Sequence, residues 1–348
     1  MFPTLIFLSS GLFLGWSLGA NDAANVWGTA VGTRMVRFKS AALVCSIFVT
    51  LGAIISGSGA AHTIGKLGAI NAIGGAFTVA LAAALSVYWM TKLGLPVSTT
   101  QAIVGAIIGW NLYSGTQVQF DELYKILGSW VFSPVLTAVF AFFIFHLVKV
   151  IIRKAKIHLI RLDGLTRNSL ILVGAFGSYS LGANNIANVM GVFTTTAPFG
   201  ELDIGGLITL SGAQQLFLLG GIAISVGVFT YSKRVMYTIG SELYKMTPVA
   251  ALVVVLSSSI VLYLFASKGL KMFLESYGLP SFPLVPVSSS QSIVGGVIGI
   301  GIAKKGRNIK YAILGRILFG WIASPVIAAV VSFISLFIVQ NVFAQRVI

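Results

Sequence analysis

Hydrophobic and polar positions alternate along this chain in long blocks. Ten apolar stretches are separated by short polar segments. They run over 4–33, 40–60, 69–90, 95–112 and 126–148, then over 169–192, 205–230, 248–266, 284–302 and 312–342. Blocks near the roughly 20 residues that cross a bilayer read as membrane helices. A chain in lipid must satisfy its own backbone hydrogen bonds, and none of these blocks shows the residue-by-residue alternation of a barrel strand. The pattern predicts an all-α polytopic membrane protein.

Composition agrees and narrows the choice. Hydrophobic residues make up 57% of the chain and charged ones 9%, against about 25% charged in a soluble domain. Mean hydropathy is +0.96. A soluble enzyme and a disordered chain are excluded. The net charge of +15 does not indicate nucleic acid, because the bases sit in short loops between apolar stretches rather than on one polar face. Cys45 lies alone in an apolar run, and His62, His146 and His158 are far apart without metal-ligand spacing.

Motifs recur in the same order. Ser17-Leu-Gly-Ala-Asn-Asp-Ala-Ala-Asn-Val-Trp-Gly28 matches Ser180-Leu-Gly-Ala-Asn-Asn-Ile-Ala-Asn-Val-Met-Gly191, and Thr63-Ile-Gly65 returns weakly as Thr238-Ile-Gly240. Pro96-Val-Ser-Thr-Thr-Gln101 returns as Pro286-Val-Ser-Ser-Ser-Gln291, and Trp130-x-x-Ser-Pro134 as Trp321-x-x-Ser-Pro325. The offsets are 163, 175, 190 and 191 residues. This is an internal duplication: a first repeat over 1–148, a basic linker over 149–168, and a second repeat over 169–348.

Equivalent loops carry opposite charge. Arg34, Arg37 and Lys39 follow the first signature, whereas Glu201 and Asp203 follow the second. Asp121 and Glu122 correspond to Lys304, Lys305, Arg307 and Lys310. With one crossing per stretch and the N-terminus outside, 18 of the 23 Lys and Arg residues fall on the inner side, leaving Lys66, Lys125, Lys268, Lys271 and Arg346 outside. The positive-inside rule favours that arrangement. Five crossings per half is odd, so the repeats should be inverted, as in many secondary transporters. Both termini are then outside, and the 149–168 linker lies at the cytoplasmic surface of a cell membrane.

Polar residues stand where lipid should not tolerate them. Asp22 lies deep in the first stretch beside Asn21 and Asn25, and Asn184, Asn185 and Asn188 repeat the cluster. A carboxylate at membrane depth costs about 2.5–3.5 kcal/mol on insertion scales. For one copy, the plain alternative is a satisfied polar residue joining helices; the second copy favours a shared site. Gly-Ala-Asn-Asp is a poor mid-helix string, so each signature is expected to be a broken helix. Pro96 and Pro286 lead into Ser98-Thr99-Thr100-Gln101 and Ser288-Ser289-Ser290-Gln291, a helix-start pattern that sets hydroxyls beside unpaired amides. Ordinary N-capping would look the same in one copy; two copies at equal stations again favour a central site. Ser133-Pro134 and Ser324-Pro325 are expected to mark kinks, and Trp130, Trp321, Tyr113 and Tyr124 to anchor at the membrane interface.

These groups suit a small tetrahedral oxyanion bound with cations, since the motifs contain no Lys or Arg. The expected oxyanion ligands are Asp22, Asn25, Ser98, Thr99, Thr100, Gln101, Asn185, Asn188, Ser288, Ser289, Ser290 and Gln291. The expected cation ligands are Asn21, Asp22, Asn25, Asn184, Asn185, Asn188, Thr100 and Ser290.

On Gly19-Ala-Asn-Asp-Ala-Ala-Asn25, Gly182-Ala-Asn-Asn-Ile-Ala-Asn188 and the two Pro-Val-Ser segments, the chain resembles the inorganic phosphate transporter (PiT) family along almost its whole length. The resemblance implies a transporter, not an enzyme, importing inorganic phosphate by symport with sodium or protons. It implies no cofactor beyond the coupling ion, and a homo-oligomer is compatible with it. Three departures from the family pattern stand out: Asn185 where an acid is common, Gln101 and Gln291 where many relatives place His, and Val49 where many carry an acid. All three remove titratable groups and favour sodium over protons. Sulfate is the alternative substrate, and a membrane enzyme acting on phosphorylated lipid lacks the necessary nucleophile and base.

Overall fold

The computed structural model describes residues 2–92, 97–196, 199–206, 208–238, 246–305 and 311–348. Pro96, Ile239, Gly240, Lys245, Arg307 and Lys310 lie outside the described residues. The first half contains α1 (Phe2–Gly32), α2 (Phe38–Ser56), α3 (Ser58–Gly68), α4 (Ile73–Lys92), α5 (Thr99–Ser114) and α6 (Phe120–Ala155). The second contains α7 (Leu159–Met190), a small hairpin of β1 (Leu202–Ile204) and β2 (Ile208–Leu210), α8 (Gly212–Thr230), α9 (Ser232–Thr238), α10 (Pro248–Ala266), α11 (Lys268–Ser276), α12 (Ser289–Ala303) and α13 (Tyr311–Asn341). Eight of the described helices are long and apolar enough to cross a membrane. The molecule is therefore a nearly all-helical polytopic membrane protein.

Two of the ten apolar stretches behave differently. The helices in 95–112 and 284–302 are short, beginning only at Thr99 and Ser289. An extended segment leads into α12, held by side chains from neighbouring helices. Thr63 Oγ1 donates to the Leu284 carbonyl at 2.6 Å, and Asn184 Oδ1 accepts from the Val287 N–H at 2.9 Å. The linker expected over 149–168 is largely helical: α6 continues to Ala155, Lys156 turns the chain with φ 46°, and His158 caps α7. Arg153 and Lys154 in the last turn of α6 suit its negative dipole end.

The signatures themselves require a correction. Both were expected to break, yet α1 and α7 pass through them as continuous helices. Packing explains this. A Cβ on Gly19 would run into the Ile224 carbonyl of α8, and one on Gly182 into the Val49 carbonyl of α2. The glycines let two backbones touch, and that contact outweighs their low helix propensity. The interruptions occur instead at the starts of α5 and α12.

Close contacts come in reciprocal pairs that follow the sequence duplication. Gly19 meets Ile224 and Gly182 meets Val49; Gly52 meets Tyr179 and Gly227 meets Trp16. In the same way Gly105 meets Pro325 and Gly295 meets Pro134, one turn before Gly109 meets Ala329 and Gly299 meets Ala138. Each half thus packs its signature helix and its short helix on partners from the other half. The outer helices α6 and α13 present large apolar side chains such as Val131, Phe143, Ile322 and Phe337 outward, as lipid contact requires. Pro134 and Pro325 sit inside them. Trp321 is buried and Trp130 packs against the main core, so these two indoles lie within the protein; Tyr124 is exposed.

Candidate functional site

The two short helices start face to face. Ser98 and Ser288 are their N-caps, each accepting from the amide of the Gln three residues on at 3.3 Å. This is the usual reason for a serine at a helix start. Ser98 Oγ also donates to Ser288 Oγ at 2.9 Å, and Ser288 Oγ lies 3.0 Å from Ser290 Oγ. Equivalent residues of the two repeats therefore touch, with the positive ends of both short helices and several hydroxyls converging on one point.

The signature helices close around that point. Asn25 Nδ2 donates to Ser289 Oγ at 3.2 Å, and Ser289 Oγ donates to Asp22 Oδ2 at 2.9 Å. From α7, Asn188 Nδ2 donates to Thr100 Oγ1 at 2.9 Å and to Asn185 Oδ1 at 3.0 Å, while Thr100 Oγ1 donates to the Val287 carbonyl at 3.4 Å. The two sides differ for a traceable reason. Thr99 is the counterpart of Ser289, and Asn185 stands where the repeat would supply a second Asp22. Thr99 Oγ1 and Asn185 Nδ2 are both buried without a partner.

Further groups around the site are buried and unpartnered: Gln101 Oε1, Asn188 Oδ1, Gln291 Oε1 and Ser292 Oγ. Such groups cost about 1–3 kcal/mol each when left unsatisfied. The carboxamide oxygens, with Asp22, are hard donors for a monovalent cation. Thr99, Ser292 and the Asn185 amide are donors for an anion. Most of the residues expected to bind are thus together. Two are committed elsewhere. Asn184 holds backbone atoms of Val285, Val287 and Leu262. Asn21 turns aside, donating to the Ser17 carbonyl at 2.9 Å and accepting from Thr91 at 3.4 Å. Ser292, one residue past the hydroxyl run, was not singled out from the motif; its repeat counterpart, Ala102, gave no signal.

A model of the phosphate transporter family matches residues 18–272 and 281–347. The chain belongs to that family. Members are similar over nearly their full length. A Methanocaldococcus jannaschii protein provisionally named a phosphate permease is 27% identical over 323 residues, covering 92% of this chain and 93% of its own. The sulfate permease CysP of Bacillus subtilis is 30% identical over 345 residues, covering 96% and 88%. A solved sodium-dependent phosphate transporter shares the fold with a TM-score of 0.75 and 24% identity, over 98% of this chain and 99% of that one. This family member is a membrane transporter, not an enzyme.

Proposed function

We propose that this transporter moves inorganic phosphate inward by symport with sodium, binding both between the two signature helices and the starts of α5 and α12. The carrying observation is the mixed cluster around Ser98 and Ser288. It sets the Asp22 carboxylate and unpartnered carboxamide oxygens beside hydroxyl and amide donors, without Lys or Arg from the motifs. An oxyanion alone would meet the negative charge of Asp22, and a cation alone would leave the donors unused. Together they satisfy the cluster, and their binding becomes mutually dependent. Asp22, Asn25, Ser289, Gln101, Gln291 and Asn188 are the proposed centre, with Asn21 and Asn184 outside it. Inverted repeats would let one group of helices move against the other around a fixed site; the reciprocal glycine contacts support a two-fold relation.

Uptake of labelled phosphate into proteoliposomes, with sodium and proton gradients imposed separately, tests the reading. Acceleration by inward sodium is expected; uptake indifferent to both gradients would end the symport proposal. Sulfate is the second reading, favoured by the 30% identity to a sulfate permease. Labelled sulfate should stay outside if phosphate is the substrate, and should be taken up in place of phosphate otherwise.

A further inference from the structure

The two Trp-x-x-Ser-Pro motifs lie level with the two glutamines of the central site. Gly105 meets Pro325 and Gly109 meets Ala329, so α5 and α13 run parallel and in step. Four residues before Gly105 and Pro325, on the same helix faces, stand Gln101 and Trp321. The other half repeats the arrangement. Gly295 meets Pro134 and Gly299 meets Ala138, and four residues earlier stand Gln291 and Trp130. Each level pairs a carboxamide with an indole. Gln101 Oε1, Gln291 Oε1, Trp130 Nε1 and Trp321 Nε1 are all buried without a partner. An indole N–H can only donate and a carboxamide oxygen can only accept, so the unused groups are complementary in both halves.

A third Ser-x-x-Gln cap gives the contrast. At the start of α8 the Gln214 amide donates to Ser211 Oγ at 3.3 Å, and the Ser211 N–H donates back to Gln214 Oε1 at 3.0 Å. That is a complete capping box. At α5 and α12 the first bond is made, also at 3.3 Å, but the glutamine oxygen does not return to the cap. One sequence pattern is thus closed in α8 and open in the two helices of the central site. Trp321 also belongs to a small buried cluster with Val294 of α12, which sets its ring near the meeting of the short helices.

We propose that Trp321 and Trp130 are positioning residues for the coupling cation, each indole N–H holding the carboxamide oxygen of the glutamine level with it, Gln101 or Gln291. A carboxamide oxygen has two lone pairs. The one taken by the indole keeps the glutamine off its own cap, and the other is left to the cation. The cap amide stays free for the oxyanion. A donor behind a ligand fixes that ligand's direction, as it does around metal ions generally. The role given to the tryptophans rests on the reading that sodium binds at the carboxamide oxygens.

The chain has six tryptophans, whose indole N–H resonances can be followed by NMR on the full-length protein in detergent. Gln101→Leu should move one of them upfield and Gln291→Leu a different one, whereas Gln101→Glu, which keeps an oxygen, should leave the first downfield. Trp321→Phe and Trp130→Phe should delete the same two. No shift, or one resonance moved by both leucine variants, overturns the pairing, and this holds even where a phenylalanine variant fails to fold. In proteoliposomes Trp321→Phe should raise the sodium concentration for half-maximal phosphate uptake about tenfold. On a Gln101→Leu background it should raise it no further, while on Gln291→Leu its effect should persist. Equal effects on the two backgrounds overturn the positioning role. If wild-type uptake ignores sodium, the symport reading fails by itself, and the resonances alone decide whether the tryptophans hold the glutamines.

Discussion

Asp22 is held by one hydroxyl, Ser289 Oγ at 2.9 Å, and its counterpart in the second repeat is the neutral Asn185. Negative charge therefore enters the cluster from the first signature alone. Asp22→Asn keeps an acceptor for Ser289, so the fold should persist while sodium-driven uptake falls at least about tenfold, equal to ~1.4 kcal/mol. Uptake with imposed gradients, beside thermal unfolding in detergent, checks both halves of that statement. Asn184 behaves in the opposite way. Its carboxamide is bonded to the backbone before α12, and Asn184→Ala leaves the buried Val287 N–H without a partner. We expect a loss of about 1–3 kcal/mol, seen as a lower unfolding temperature. The string Asn184-Asn185 carries no clue to this division of labour in its letters. Neighbours on a helix point about 100° apart, and only the surrounding helices decide which one meets a ligand and which meets backbone.

Helix identity was largely readable from the apolar blocks, and several boundaries fell close, as in 248–266 for α10. The starts of α5 and α12 were readable too, because a proline followed by a run of hydroxyl residues and a glycine-spaced apolar run has a local meaning as a helix start. The supposed breaks at Gly19 and Gly182 were misplaced because a glycine that weakens a helix and one that admits a neighbouring backbone are written alike. The distinction lies in Ile224 and Val49, more than a hundred residues away. Gly19→Val therefore puts three extra carbons against a carbonyl rather than merely stiffening a loop. Overpacking of this kind costs about 1–3 kcal/mol, and Gly182→Val should cost a similar amount. Unfolding temperatures of both variants measure it; a neutral or stabilising result would contradict the contact.

Across the molecule, equivalent residues of the two halves meet at Ser98 and Ser288, whose side-chain oxygens are 2.9 Å apart. Cysteines at those two positions would set two sulfurs side by side, and the native Cys45 is buried and should not interfere. Oxidised Ser98→Cys/Ser288→Cys protein should form the cross-link, read by mass spectrometry, and lose uptake until a reductant restores it. Undiminished transport by the cross-linked chain would place the working site elsewhere. The exchange of contacts between halves also bears on how the protein is made. As the nascent chain leaves the ribosome, the groove on α1 that Gly19 opens has no occupant until α8 follows, some two hundred residues later. Until then lipid must cover both surfaces. A chain truncated at the linker would leave the first signature's polar face bare, exposing a clear target for membrane quality control.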